Sequence, residues 1–168
     1  MAVVLPQGRF NNSSDKNIRE YIAERCRILA VVGLHGNVFK PHTGTKTSVL
    51  LVQKWDDVLC PKVEDYPIFF ATMQEPSKDN SGEKIFVKKK DANPYRVPNP
   101  IRVEETNQVS DNVSHYEVTV HNNEEYLLDS HGHLIVKHDL FNHDGKTKDG
   151  IAEAFVEFAK KEKLSFFL

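Results

Sequence analysis

Four histidines and two aspartates crowd one stretch of the chain: His131, His133, His138, Asp139, His143 and Asp144. Imidazole and carboxylate together are zinc ligands, and on a strand His131 and His133 would share one face. Gly132 between them reads instead as part of a turn, and the sequence shows no partner that would orient either ring. A polar hairpin tip is the preferred reading, and no metal site is assigned. "DLFNHDGKTKDG" fails as a calcium loop, because Phe141 stands at the third ligand position and Gly150 at the twelfth. Ser, Cys and His are present without a local nucleophile signature. Lys88-Lys89-Lys90 has no aromatic interleaved and reads as a solvated loop.

A second chemistry is raised by "FKPHTGTKTSVLLVQKW", Phe39 to Trp55. Glycines, lysines and threonines in such density suit a phosphate cradle. A P-loop needs the second glycine directly before Lys and a helix after it, so that the helix N-terminus meets the anion. Here Thr45 separates Gly44 from Lys46, and β-formers follow. The P-loop is excluded. What remains is a connection from Leu34 to Lys46, well beyond a tight turn, and connections of that length are disproportionately functional. The competing reading is a solvated loop shaped by Pro41 and Gly44.

The elements that would hold this loop follow from periodicity. "AVVL", Ala2 to Leu5, reads as a strand end stopped by "PQG". A helix follows "NNSS", capped by Ser13 or Ser14, with Ile18, Tyr21, Ile22 and Cys26 on one face. "ILAVVGL", Ile28 to Leu34, is apolar without alternation, as in a strand covered on both faces. Thr47–Trp55 and Tyr66–Met73 read as further strands. From Ser77 to about Asn112 the composition turns to Lys, Asn, Pro and Asp, an irregular and partly mobile insertion. "SHYEVTV" alternates, "EYLLDSHGHLIVK" reads as a hairpin turning at residues 130–132, and Ile151, Ala154, Phe155, Phe158 and Ala159 stripe a closing helix over about 148–163.

With 168 residues, 39% apolar and 27% charged, this is a single globular domain by length and composition. No apolar run approaches the roughly 18 residues needed to cross a bilayer. The first residues lack the basic start of a secretory signal, and Cys26 and Cys60 have no metal-ligand spacing, so reduced thiols and a cytoplasmic location are expected. The net charge of −2 argues against gripping nucleic acid over the whole surface. Residues 1–60 hold eight Lys/Arg against five Asp/Glu, however, a basic half able to face phosphates.

"VVLPQGRFNNSS", "IREYIAERCRILAVVGL", "NVFKPHTGTKTSVLLVQK", "YPIFFATM" and "DGIAEAFVEFAKKEK" resemble, in the same order, the modification subunits of type I restriction-modification systems, which are adenine-N6 DNA methyltransferases. The likeness covers most of residues 2–73 and 148–163. It implies a Rossmann-like sheet that binds S-adenosylmethionine and flips the target adenine out of the duplex, since a stacked base hides its exocyclic amine. Two motifs carry the family's chemistry: a glycine-rich cofactor turn and an Asn-Pro-Pro-Phe/Tyr run. Neither is found in the 168 residues; Asn93-Pro94-Tyr95 lacks the second proline and reads as a turn.

The resemblance therefore implies the portion downstream of the catalytic motif. Ala2–Leu5 would be the fifth strand of the sheet, and the next two strands the sixth and an antiparallel seventh. Expected are an α/β fold with a partial methyltransferase sheet over 1–75, an insertion with a β-hairpin over 76–147, and a C-terminal helix over 148–168. No catalytic, cofactor-binding or metal residue is assigned. Lys40, Thr43, Lys46 and Thr47 are the candidates for target-strand phosphates, and Phe39 for either the core or a base. DNA and the specificity and restriction subunits are the expected partners, with self-association through an open sheet edge. S-adenosylmethionine would serve the full-length family, and the chain alone would neither hold it nor transfer its methyl group. Two alternatives are a non-enzymatic module docking on DNA or the specificity subunit, and an unrelated small enzyme using the histidines.

Overall fold

The computed structural model describes residues 1–88, 118–121, 124–129, 131–141 and 150–164. Strand β1 is Ala2–Pro6, helix α1 Lys16–Arg25, β2 Cys26–Gly33, β3 Thr47–Lys54 and β4 Phe69–Thr72. Strands β5 (Val118–His121) and β6 (Glu124–Leu127) form a separate antiparallel ribbon, and α2 is Ile151–Lys161. The main sheet is mixed, in the order β1-β3-β2-β4. Strand β3 runs antiparallel to β1 and β2, while β2 and β4 are parallel. Hence β1, β2 and β4 all point one way, and β3 is wedged between two of them in reverse.

Burial follows the apolar runs. Ala30 and Val32 in β2 and Ser48, Leu50 and Val52 in β3 are buried. The β2–β3 register slips between Ile28 and Ala30, leaving Leu29 without a cross-strand partner. Such a bulge re-aims its extra residue, and Leu29 joins Ala159 and Leu164 in the core, with Leu51, Phe155 and Phe158 packed on it. Helix α2 lies on this face through Phe155 and Phe158, whose rings stand 5.5 and 5.7 Å from that of Phe69. It ends with Lys163 at φ 51°, Lys163 N–H bonding the carbonyl of Lys160 and Leu164 N–H that of Ala159. This is a left-handed cap that turns Leu164 back into the core.

Helix α1 departs from expectation in two ways. The cap is not Ser13 or Ser14: the Asn12 side chain accepts from Ser14 N–H and starts a short 3-10 turn, Ser13–Asp15, from which α1 continues. Asp15 stands at the cap position, but its buried carboxylate is held by the Arg9 guanidinium at 3.0 and 3.2 Å. The expected apolar face is not buried either. Ile18 and Tyr21 are both 59% exposed, Tyr21 lies under the Arg25 guanidinium at 3.8 Å, and Cys26 already belongs to β2.

Strand β4 is shorter than Tyr66–Met73. Pro67 has no N–H to give a ladder, and the Tyr66 hydroxyl accepts from Ile28 N–H at 3.3 Å while its ring meets Trp55 edge-on at 5.6 Å. Within 76–147, residues 85–88 are laced to 127 and 134–137 by backbone bonds such as Val87 N–H to Ile135 O and Leu127 N–H to Val87 O. Leu127 and Ile135 are buried here. The chain reverses between them through the Asp129 carboxylate, which accepts from His131 and His133 N–H, with Gly132 at φ 76°. The segment around Asn93–Tyr95, with Lys89 and Lys90, lies outside the described residues.

Candidate nucleic-acid interface

One end of the sheet gathers the relevant chain segments. Pro6 faces Thr47, and Gly33 faces both Ser48 and Thr72, so the carboxyl ends of β1, β2 and β4 lie in a row. In open α/β sheets, ligands bind beyond that end of the strands. The connection from Leu34 to Lys46 leaves β2 here and returns to β3. It is pinned at its base: Leu34 N–H donates to Thr47 O at 2.9 Å and Gln7 N–H to Lys46 O at 2.8 Å, the second tying it to β1.

Within the loop, local turns set the path. Val38 N–H bonds His35 O, Lys40 N–H bonds Asn37 O, and Thr43 N–H bonds Phe39 O. His35 is a structural group here, its Nδ1 accepting from Asn37 N–H at 3.2 Å. The Lys40–Pro41 peptide is cis. Of the four candidates, Thr43 and Lys46 are exposed and Lys40 half-buried. Thr43 Oγ1 accepts from Thr45 N–H at 3.0 Å and also shares a bond with Thr45 Oγ1. Both lysine chains lie along the loop, Lys40 beside Gly44 and Lys46 beside Gly36. The structure thus places Lys40, Thr43 and Lys46 on one loop. Thr47 differs, since it opens β3 and its hydroxyl is enclosed without a hydrogen-bond partner among the described residues. Phe39, 38% exposed, is neither plugged into the core nor fully presented.

Cations, a hydroxyl and backbone N–H groups at a sheet's carboxyl end can position phosphate oxygens. They offer neither a nucleophile nor an acid-base pair. The bracing on the other side of the loop escaped the sequence reading, which placed Ser77 onward in an irregular insertion. Lys78 Nζ donates to Lys40 O at 2.7 Å, and Asn37 Nδ2 donates to Lys78 O at 3.0 Å and to Asn80 Oδ1 at 3.3 Å. The available signal was Asp79-Asn80-Ser81-Gly82, a run of turn formers.

The other candidate chemistry looks different in three dimensions. His131 and His133 have ring centroids 6.3 Å apart at the hairpin tip, and His133 Nδ1 stands 3.6 Å from Asp129 Oδ2. His138 packs on Phe141 at 4.3 Å, and Asp139 Oδ2 accepts from Gln74 N–H at 2.8 Å. His143 and Asp144 lie outside the described residues, among which no three His, Cys, Asp or Glu side chains cluster as a metal site. Cys60 is buried and Cys26 half-buried, both as free thiols, and burial pushes the Cys60 thiol upward. No helix among the described residues is long and apolar enough to cross a membrane. A cavity of about 480 Å³ lies at the opposite, amino-terminal end of β1 and β2, lined by residues that include Leu29, Leu51, Lys54 and Phe155.

Comparison with known proteins bears on this geometry. Residues 1–138 match the family model described as N-6 DNA Methylase. That match includes the insertion and hairpin, which the resemblance read from sequence had left out. A stretch of 54 residues is 39% identical to the type I restriction enzyme EcoEI methylase subunit of Escherichia coli, covering 32% of this chain and 11% of that relative. The chain thus aligns with about a tenth of the curated relative's length. With the family model spanning most of its residues, the chain belongs to the N-6 DNA methylase family.

Proposed function

We propose that this chain forms part of an adenine-N6 modification subunit of a type I restriction-modification system, and that its loop from Leu34 to Lys46 meets the phosphates of the target DNA. The observation that carries this reading is the position of that loop, at the carboxyl end of three co-directional strands in a member of an N6 methylase family. Lys40, Thr43 and Lys46 supply the contacts, and Thr47 anchors the loop in β3. A Rossmann-like sheet is supported by β3, the strand expected to be the seventh, running antiparallel to both neighbours. On this reading residues 1–75 belong to the methyltransferase domain, 76–147 are an insertion upon it and 148–168 a helix packing on it.

S-adenosylmethionine supplies the methyl group in such enzymes, but the residues described here do not fit it. The apolar cavity lies at the wrong end of the strands, is lined by no carboxylate, and adjoins no glycine-rich turn. The proposed role of this chain is therefore to shape and hold, with donor binding and the adenine amine left to groups it lacks. Its partners on this reading are DNA and the specificity and restriction subunits.

Binding of a duplex containing adenine, titrated across salt concentrations, tests the interface. Loss of one phosphate contact in Lys46→Ala should lower the slope of log K against log salt by about 0.9 and weaken all sequences alike. Unchanged affinity and slope would overturn the assignment.

A further inference from the structure

The turn from Lys78 to Gly82 touches the DNA-facing loop from a position some forty residues away in sequence, and it does so through three separate contacts. Lys78 Nζ is bonded to the carbonyl oxygen of Lys40 at 2.7 Å. Asn37, near the loop's start, donates to Lys78 O and Asn80 Oδ1. Gly82 lies flat on the Lys40–Pro41 peptide: a Cβ there would meet Pro41 N at 2.6 Å, Pro41 Cδ at 2.8 Å and Lys40 C at 2.9 Å. Its φ of +100° independently disfavours any side chain. The turn is itself fixed by one carboxylate oxygen, Asp79 Oδ1, which accepts from the N–H groups of Ser81, Gly82 and Glu83 and from the Ser81 hydroxyl. Asp79 N–H to Glu83 O and Ile85 N–H to Ser77 O close its base.

Against this, the corner at Lys40 and Pro41 is held from within the loop only by the short turns around it, among the described residues. A loop that must keep two lysines and a threonine in register with phosphates loses that register when its corner is free. We infer that Lys78 and Gly82 are positioning residues for the phosphate-contacting loop, clamping the Lys40–Pro41 corner so that Lys40, Thr43 and Lys46 face the DNA together. The inference rests on the reading of that loop as a DNA contact. Lys78 serves through its bond to a carbonyl, and Gly82 through the close approach that only glycine permits.

The test uses the full 168-residue chain and its variants Gly82→Ala, Lys78→Met, Lys78→Arg and Lys46→Ala. Two quantities are read: amide hydrogen exchange over residues 34–46, and duplex affinity across salt. Expected for Gly82→Ala and Lys78→Met is faster exchange in the loop and affinity lowered about tenfold with an unchanged salt slope, because no phosphate contact is removed. Lys78→Arg should restore both, since a guanidinium also donates to a carbonyl. Should Gly82→Ala fail to fold, the two Lys78 variants carry the same comparison. Exchange unchanged in the variants overturns the clamp, and so does a slope lowered by about 0.9 in Lys78→Met, which would make Lys78 a direct phosphate contact. Faster exchange in a chain with no duplex affinity supports the clamp and overturns the DNA reading instead.

Discussion

Three aspartates do the same work in three turns: Asp56 before the exposed tip at Val58 and Leu59, Asp79 in the clamp, and Asp129 in the hairpin. Each carboxyl is held below its ordinary value of 3.8, by Leu59 N–H foremost at Asp56, by the Ser81 hydroxyl at Asp79 and by His133 N–H at Asp129. A depressed carboxyl stabilises its turn above the unfolded value, and that contribution disappears as pH falls through the lower folded value. The Gly82 and Glu83 amide resonances should therefore titrate with a midpoint under 3.8; a midpoint at or above it would show that the carboxylate does not hold the turn. At this scale the sequence showed that Lys40, Thr43 and Lys46 share one connection between two strands, because the apolar runs on either side bound it. It was silent about the bond from Lys78 to the Lys40 carbonyl, far away in the chain, and about the enclosure of the Thr47 hydroxyl at the start of β3. His131 and His133, read from the sequence as part of a turn, stand in the reversal that the Asp129 carboxylate holds.

Among the elements, those defined by continuous apolar runs were legible, and those depending on a partner were not. Strands β1, β2 and β3 and helix α2 lie within a few residues of their expected places, and β2, β3 and α2 bury residues of their apolar runs. Helix α1 has a pattern that promised a covered face, yet Ile18 and Tyr21 stand exposed, so periodicity gave the helix but not its surroundings. The expected cap at Ser13 or Ser14 gave way because Asn12 starts a 3-10 turn that takes up both serines, while Arg9 holds the Asp15 carboxylate. At the other end of the chain, α2 closes with Lys163 at φ 51°, where glycine has no Cβ penalty. Lys163→Gly should accordingly raise stability by about 1 kcal/mol, read as a higher thermal midpoint. A lower midpoint would mean that the lysine's chain conformation is not a cost to this fold.

For the whole molecule, the arrangement of strands matters more than any residue. Strands β1 and β4 are edges of the main sheet among the described residues, and an unpaired edge is a template for another strand. Light scattering after size-exclusion chromatography should find a mass above that of one chain; a clean monomer at all concentrations would show that the edges are covered. Family membership was readable in "FKPHTGTKTSVL" and its neighbours, but the order β1-β3-β2-β4 was not, because register is a property of pairs rather than runs. The account holds that this polypeptide contributes a wall and a phosphate-facing loop to an adenine methyltransferase, without the groups that bind the donor or the target amine. Incubation of the purified chain with duplex DNA and S-adenosylmethionine carrying a tritiated methyl group tests this most directly. The account predicts no label in the DNA; labelled N6-methyladenine formed by this chain alone would contradict it.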